Sequence, residues 1–440
     1  MLDINKYKIQ HFFNFFLALF PLSFLSGNLI INSNLFLLLI FGILTILKNN
    51  LKLKFDSITI LLALYFCSTI FSTLLNNEIP GSQIYFKSFF YLRFLFLFII
   101  FKTLSENNLV NLGLLFKVCF YSTTVIALDI FIQFIFGINI LGLSPLYNEF
   151  YTGIFGNEKI AGGYLQEFFL LSLISLINLR EKKYYNVLFI FFTSLILFAI
   201  VISGNRIPLV LTLFSLLILF SFIKSLRFNI LICFLFFGVT FGYLFKSNES
   251  INQSYLNLYQ KIFVTSNISS FGDIVFDWSN NLEKSEKDEV IPDKLKKFNF
   301  FSETSNSSTH GYIYLLTLRS FSENKLIGNG FKSSRRYCYN EVSIKDKWCL
   351  SHPHNYHLEI LNDSGSLGYL LVAASILLLF LSSYKNLKSR KNLISLILLI
   401  AMFIEVWPLK STGSLYGTWS GSIAWFILAL NSLNIKSIKD

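Results

Sequence analysis

Three of the chain's five histidines fall within six residues: His352, His354 and His357, in SHPHNYH, just ahead of an apolar run. An imidazole of ordinary pKa suits proton abstraction from a hydroxyl near neutral pH, which is general-base work. Pro353 disfavours helical backbone at His352, so the approach is extended. His354 and Asn355 are then expected in the first turn of the following helix. His354 is the candidate base, His352 the alternative, and Asn355 stands beside them. A capping cluster at the membrane interface, or an adventitious metal site, is the competing reading of the same residues.

The cations come next. Arg206, in SGNRIPLVL, stands where one apolar run ends and another begins. A guanidinium at membrane depth is costly and marks function more often than not. Its planar fork matches the two phosphates of a pyrophosphate, although snorkelling to lipid headgroups is the plainer alternative. Arg319, in GYIYLLTLRSFS, reads the same way, and Lys159 in the Gly-rich GIFGNEKIAGGYL is placed to meet an anion. Arg335 and Arg336 belong to a more exposed loop. Arg93, Lys117, Asp129, Glu167 and Glu405 fall inside apolar runs, where pairs are either structural or line a transport path. Glu405, next to Trp407 and Pro408, reads as interfacial; His11 and His310 are isolated.

No carboxylate cluster of the DxD kind and no His/Cys array is present, so no metal site and no cofactor is expected. Cys67, Cys119 and Cys233 read as small buried apolar residues. Cys338 and Cys349 share one polar segment. If that segment faces an oxidising compartment they are expected to pair, closing a loop worth roughly 3 kcal/mol on the chain-entropy estimate.

The elements that must position these residues can be read from composition. Of 440 residues, 54% are hydrophobic and only 14% charged, where a soluble fold carries about a quarter charged residues. The chain is expected to be an all-α polytopic membrane protein, and its partner by default is the lipid bilayer. The net charge of +12 sits largely in short connectors, so it sets topology and implies no nucleic acid. Apolar runs near 12–31, 34–47, 57–75, 84–101, 109–137, 162–179, 187–203, 207–223, 229–245, 366–381, 392–408 and 419–434 suggest about twelve transmembrane helices. The expected organisation is an N-terminal bundle of about nine spans at 1–245, a large loop at 246–365 carrying short helices and the histidines, and about three spans at 366–440.

Alternate connectors are rich in Lys and Arg (Lys48, Lys52 and Lys54; Arg180, Lys182 and Lys183; Lys385, Lys388, Arg390 and Lys391), while the other short connectors hold only Lys159, Arg206 and Lys410. The positive-inside rule therefore puts both termini in the cytoplasm and the 246–365 loop outside. The polar stretch 246–310 cannot bury a core of its own and is expected to cover the outer face.

With these residues in view, the chain resembles the bacterial O-antigen ligase and O-antigen polymerase family of polytopic glycosyltransferases. The resemblance rests on GIFGNEKIAGGYL, the Arg of SGNRIPLVL, and the block Leu318–Leu371, which runs LR, GNGF, then HPHNYHLEILNDSGSLGYLL. It implies a bacterial inner-membrane enzyme with a periplasmic active site. The implied donor is a glycan on undecaprenyl pyrophosphate, and the acceptor a lipid A core or another surface acceptor. Transfer would invert the anomeric centre without a metal. Carried onto this chain, Arg206 and Arg319 would hold the pyrophosphate, His354 would activate the acceptor hydroxyl, and Asn355 would orient it or the sugar. Asp363 stands where the family usually has Glu, Glu359 is a further acidic residue, and the 246–310 stretch departs from the family pattern. A polymerase joining lipid-linked repeat units uses the same donor. A lipid-linked glycan flippase or secondary transporter is the reading from a different class.

Overall fold

The computed structural model describes residues 6–76, 83–147, 149–259, 310–335, 352–390, 393–411 and 413–433. The chain is built from helices: α1 Lys6–Ser23, α2 Asn28–Lys48, α3 Ser57–Leu75, α4 Gln83–Tyr91, α5 Arg93–Glu106, α6 Gly113–Phe136, α7 Ala161–Ile177 and α8 Tyr185–Ile202. They continue with α9 Arg206–Phe222, α10 Arg227–Ser247, α11 Glu249–Tyr259, α12 His310–Glu323, α13 Tyr356–Arg390, α14 Leu393–Glu405 and α15 Thr418–Asn431. No strand occurs among the described residues; Leu146 and Phe150 form an isolated bridge.

The expected apolar runs fall on helices, except that 12–31 straddles the break between α1 and α2 and 84–101 takes in both α4 and α5. By length and composition, seven of the helices are long and apolar enough to cross a membrane: α2, α3, the α4–α5 pair, α6, α8, α10 and α13. α1, α7, α9 and α14 are shorter apolar helices. The chain is therefore an all-α multi-pass membrane protein, as hydrocarbon requires when backbone groups must be satisfied within each segment. The first run differs from its expected bounds. α1 stops at Ser23, and the chain turns before α2 with Gly27 (φ 87°) as the residue ahead of that helix, a backbone setting open to glycine.

Between helices, small polar side chains join surfaces that lipid cannot hydrate. Tyr164 donates to the Pro21 carbonyl at 3.1 Å and to Ser122 Oγ at 3.0 Å. Thr123 and Ser172 hydroxyls meet at 3.0 Å between α6 and α7, and Asn229 Nδ2 donates to Asn186 Oδ1 at 2.9 Å between α10 and α8. Asp129, expected to be either structural or part of a path, is structural: Oδ1 accepts from Ile140 N at 2.9 Å and Oδ2 from Asn139 at 3.2 Å. It ties the chain after α6 back onto that helix.

The segment that carries the histidines is held by backbone packed on backbone. α13 is broken at Gly365, whose φ of 68° and ψ of −175° are not helical. A Cβ on Gly365 would collide with the Leu326 carbonyl oxygen, and one on Gly328 (φ 78°) would collide with Gly365 N. Side chains therefore cannot enter this crossing. Asn329 N donates to Asn362 O at 2.8 Å, Gly330 N to Asp363 O at 2.9 Å, and Ser366 N to Lys325 O at 2.8 Å.

The last turns of α3 grip the same knot. Ser72 Oγ donates to the carbonyls of Gly328 (3.0 Å) and Asp363 (3.1 Å). Asn76 Nδ2 donates to Gly328 O at 3.0 Å, Thr73 Oγ1 accepts from Phe331 N at 2.9 Å, and the Thr69 and Ser364 hydroxyls meet at 2.8 Å. Phe331 then enters an aromatic cluster, its ring 4.5 Å from that of Tyr416 and 5.6 Å from that of Tyr91. Gly365→Ala meets both a backbone clash and a disfavoured φ. It is expected to destabilise the protein by at least about 1–3 kcal/mol, read as a lowered thermal midpoint in detergent, whereas Gly163→Ala, with open space around its Cβ position, leaves the midpoint unchanged.

Candidate active site

Lys159 and Arg206 arrive from different connectors and are joined by a short polar clasp. Asn205, the residue before α9, accepts from Gly162 N at 3.1 Å and from Ser203 Oγ at 3.0 Å, and donates to Lys159 O at 3.0 Å. A Cβ on Gly162 would lie 2.6 Å from Asn205 Cβ, and one on Gly204 (φ 68°) would lie 2.5 Å from the Phe150 ring. The glycines of both motifs are what let the two loops close. Lys159 Nζ then sits 3.2 Å over the Phe150 ring centroid.

Burial and the Arg206 charge push the Lys159 pKa down to about 8, with Glu149 opposing. Tyr255, on α11, lies in the field of Arg206. The result is two cations held close enough to oppose each other's charge, an arrangement that attracts an anion bearing more than one charge. Arg206 begins α9, so the positive end of that helix dipole adds to the attraction.

The other expected cations are not gathered with this pair. Arg319 is exposed on α12, and no described interaction links it to Lys159 or Arg206. Arg335 is also exposed and lies in the field of Lys332, away from Lys159 in every described interaction. Arg336, Cys338 and Cys349 lie outside the described residues, so the expected pairing of the two cysteines does too.

The histidines are placed differently from expectation. His354 precedes the helix and is left-handed, with φ 54°; α13 begins only at Tyr356. Asn355 is the residue that caps it. Its Oδ1 accepts from Leu358 N at 3.1 Å, while its Nδ2 donates to the Pro408 carbonyl at 2.7 Å. Capping by a side-chain oxygen holds the residue out of the helix, and His354 lies half-buried just ahead of it. The rings of His352 and His354 stand 4.2 Å apart, centroid to centroid. His357 is engaged on both nitrogens: Nε2 pairs with the Val406 carbonyl at 2.9 Å and Nδ1 with the Tyr369 hydroxyl at 3.2 Å. Because a carbonyl only accepts, His357 carries its proton on Nε2 and accepts from Tyr369 on Nδ1. Both of its ring nitrogens are thereby engaged within the fold.

Two carboxylates to which the sequence assigns no role prove to be architectural. Asp363 accepts from Lys332 N and Ser333 Oγ, both at 2.5 Å, and orders the turn after Gly330. Glu359 accepts from Ser414 Oγ at 2.5 Å and Leu415 N at 2.6 Å, and so fixes the chain ahead of α15.

A third group escapes sequence reasoning. Lys410, expected only as a connector charge, is buried between Glu167 of α7 and Glu405 at the end of α14, its Nζ 2.6 Å from a carboxylate oxygen of each. Burial opposes its charge, but the two carboxylates outweigh that and hold its pKa above the ordinary lysine value. The available signal is three ionisable residues, two of them in apolar runs, whose paired burial depends on which helix ends meet. No spacing in the sequence gives that. Among the described residues no group of His, Cys, Asp and Glu is arranged to hold a metal ion.

These groups share one end of the bundle, where α7, α9, α13 and α15 begin and α8 and α14 end. A family profile described as O-antigen ligase, Wzy_C, matches residues 189–373. That stretch of the chain is similar to the O-antigen ligase family. The matched stretch holds Arg206, Arg319, the Gly328–Gly365 knot and the histidines, and leaves Lys159, Glu167, Glu405 and Lys410 outside it. No curated protein matches the chain.

Lys159 supplies a pH test of this end of the bundle. A lysine whose folded pKa is depressed to about 8 is charged below that pH and loses its charge as pH rises through it. Inhibition of the protein by inorganic pyrophosphate is therefore expected to weaken between pH 7 and 9. The Lys159→Arg variant, charged throughout, is expected to show a flat profile over the same range.

Proposed function

We propose that the protein transfers a glycan from undecaprenyl pyrophosphate to a hydroxyl of a lipid A core or another surface acceptor, at the periplasmic face of a bacterial inner membrane. Both termini would then be cytoplasmic, on the Lys- and Arg-rich side. The observation that carries this reading is the pairing of Lys159 with Arg206 at the same end of the bundle as the half-buried His352–His354 segment. The similarity of residues 189–373 to the O-antigen ligase family supports the same class of chemistry.

The reaction asks little more of the protein than these groups supply. His354, or His352 beside it, takes the proton of the acceptor hydroxyl as its oxygen attacks the anomeric carbon. The bond from that carbon to the pyrophosphate oxygen breaks, and the configuration inverts. Charge then gathers on the departing pyrophosphate, where fixed cations lower the barrier most. Arg206 and Lys159 are assigned that role, with Arg319 brought to the headgroup when donor is bound. Asn355, spent on its cap and on Pro408, shapes the segment rather than contacting sugar. A rim location lets the donor keep its polyprenyl tail in lipid while its head reacts.

Joining of lipid-linked repeat units is the same chemistry with a different acceptor, and product length on reconstitution separates the two. A flippase or transporter is disfavoured by where the ionisable groups stand. Lys410 comes after the last residue of α14 and precedes α15, so the buried ion pairs lie toward a helix end rather than midway along a broken span.

In liposomes carrying a lipid-linked oligosaccharide and acceptor, with a chelator present, wild-type protein is expected to transfer. His354→Ala is expected to cut the rate by about 10²–10⁴-fold, the usual worth of a general base, with insertion and abundance unchanged. Arg206→Lys is expected to cost about 10²-fold, because a point charge does not replace the fork. Full activity in Arg206→Lys would remove Arg206 from the pyrophosphate site.

A further inference from the structure

We infer that the buried Glu167–Lys410–Glu405 triad is a positioning device that fixes the His352–His354 segment relative to the Lys159–Arg206 pair. The inference rests on the reading of those two groups as base and anion clamp. The three side chains are 8%, 5% and 1% exposed respectively. Lys410 Nζ bonds one oxygen of each carboxylate at 2.6 Å, while Glu167 Oε2 and Glu405 Oε1 are buried without a hydrogen-bond partner. Two carboxylates on one ammonium are more than a fold staple needs. Apolar side chains of similar volume hold helices together at least as well, because they carry no desolvation cost.

The place of the triad is explained by the chain it holds. The segment from Glu405 to Lys410 is anchored at both ends by the ion pairs, and Lys410 N closes it as a turn onto Trp407 O at 2.9 Å. From this short arch, the Pro408 carbonyl accepts from Asn355 and the Val406 carbonyl pairs with His357. The residues on either side of Tyr356, directly after His354, are thus hung on a loop whose own position the triad sets. Tyr356 lies in the field of both Glu405 and Glu167.

The other end of the link is α7. Glu167 lies five residues, about 7.5 Å of helix rise, beyond Gly162, whose N–H is bonded to Asn205 beside Arg206. A continuous chain of bonds therefore runs from Arg206 and Lys159, through α7 and Lys410, to the histidines. Disturbing its centre shifts the base against the leaving group, and misplacement of about 1 Å costs about 10²-fold in rate.

Three full-length variants test this after reconstitution: Lys410→Met, Lys410→Arg, and the triple variant Glu167→Met, Glu405→Met, Lys410→Met. The readouts are kcat, donor KM, and hydrogen–deuterium exchange of the peptide spanning 352–360. Lys410→Met leaves two buried carboxylates uncompensated and is expected to lose folded protein. The triple variant removes all the charge and is expected to insert and melt near the wild-type temperature. Its kcat is expected to fall by about 10²-fold with donor KM nearly unchanged and exchange in 352–360 faster. Lys410→Arg is expected to restore slow exchange and most of kcat.

A triple variant with wild-type kcat overturns the proposal, whether or not its exchange is altered. Wild-type exchange in that variant overturns it as well. Failure of the underlying function shows separately: a fully active His354→Ala protein would remove the base, while the exchange result would still show whether the triad holds the segment.

Discussion

A single ammonium, that of Lys410, holds three pieces of chain in register inside a region that water does not reach. Each of its carboxylate partners comes from a different helix, α7 and α14, and the loop between α14 and α15 supplies the lysine itself. Removing the ammonium leaves two buried carboxylates without the partner that makes burial tolerable. The approach to α13, the start of α15 and the placement of the histidines all pass through this point. In a membrane, where helices gain nothing from hiding apolar surface from each other, a few such polar contacts decide which helix faces meet.

A second constraint acts on the opposite flank of the same segment. Gly328 and Gly365 permit two backbones to touch, and α3 closes the gap with a row of short polar side chains at Thr69, Ser72, Thr73 and Asn76. The knot sets where α13 resumes as a span; the arch from Glu405 to Lys410 sets where it begins. Between them lies only a short stretch of helix. The histidine loop is therefore fixed by segments C-terminal to it: the first part of α13 and the link from α14 to α15.

Much of this is legible in the sequence. Composition and the lengths of the apolar runs lead to the helical membrane architecture, because hydrocarbon admits so few alternatives. GNEKIAGG, SGNR and GNGF each hold a glycine at a close approach of two segments: Gly162, Gly204 and Gly328. Lys159 and Arg206, each a candidate on its own motif, stand together in the fold. Sequence reasoning fails where an answer depends on tertiary neighbours. The resemblance implies that Asn355 orients the acceptor hydroxyl or the sugar; its amide bonds to Leu358 N and the Pro408 carbonyl come only from the fold. His354 is expected inside the first turn, but the cap falls one residue later. Glu405 reads as interfacial because Trp407 and Pro408 come directly after it; that α7 presents Glu167 at the same height is a fact of packing.

The boundaries of the matched family stretch and of the bonded unit do not coincide. Residues 189–373 contain the histidines and Arg206, while Lys159, Glu167, Glu405 and Lys410 come from either side. A chimera that exchanged only the contiguous stretch with that of another protein would import the histidines and Arg206 and leave their footing behind. The transplantable module here is discontinuous: the connector ahead of α7 with that helix's first two turns, and the link from α14 to α15, travel with the stretch or it arrives unsupported.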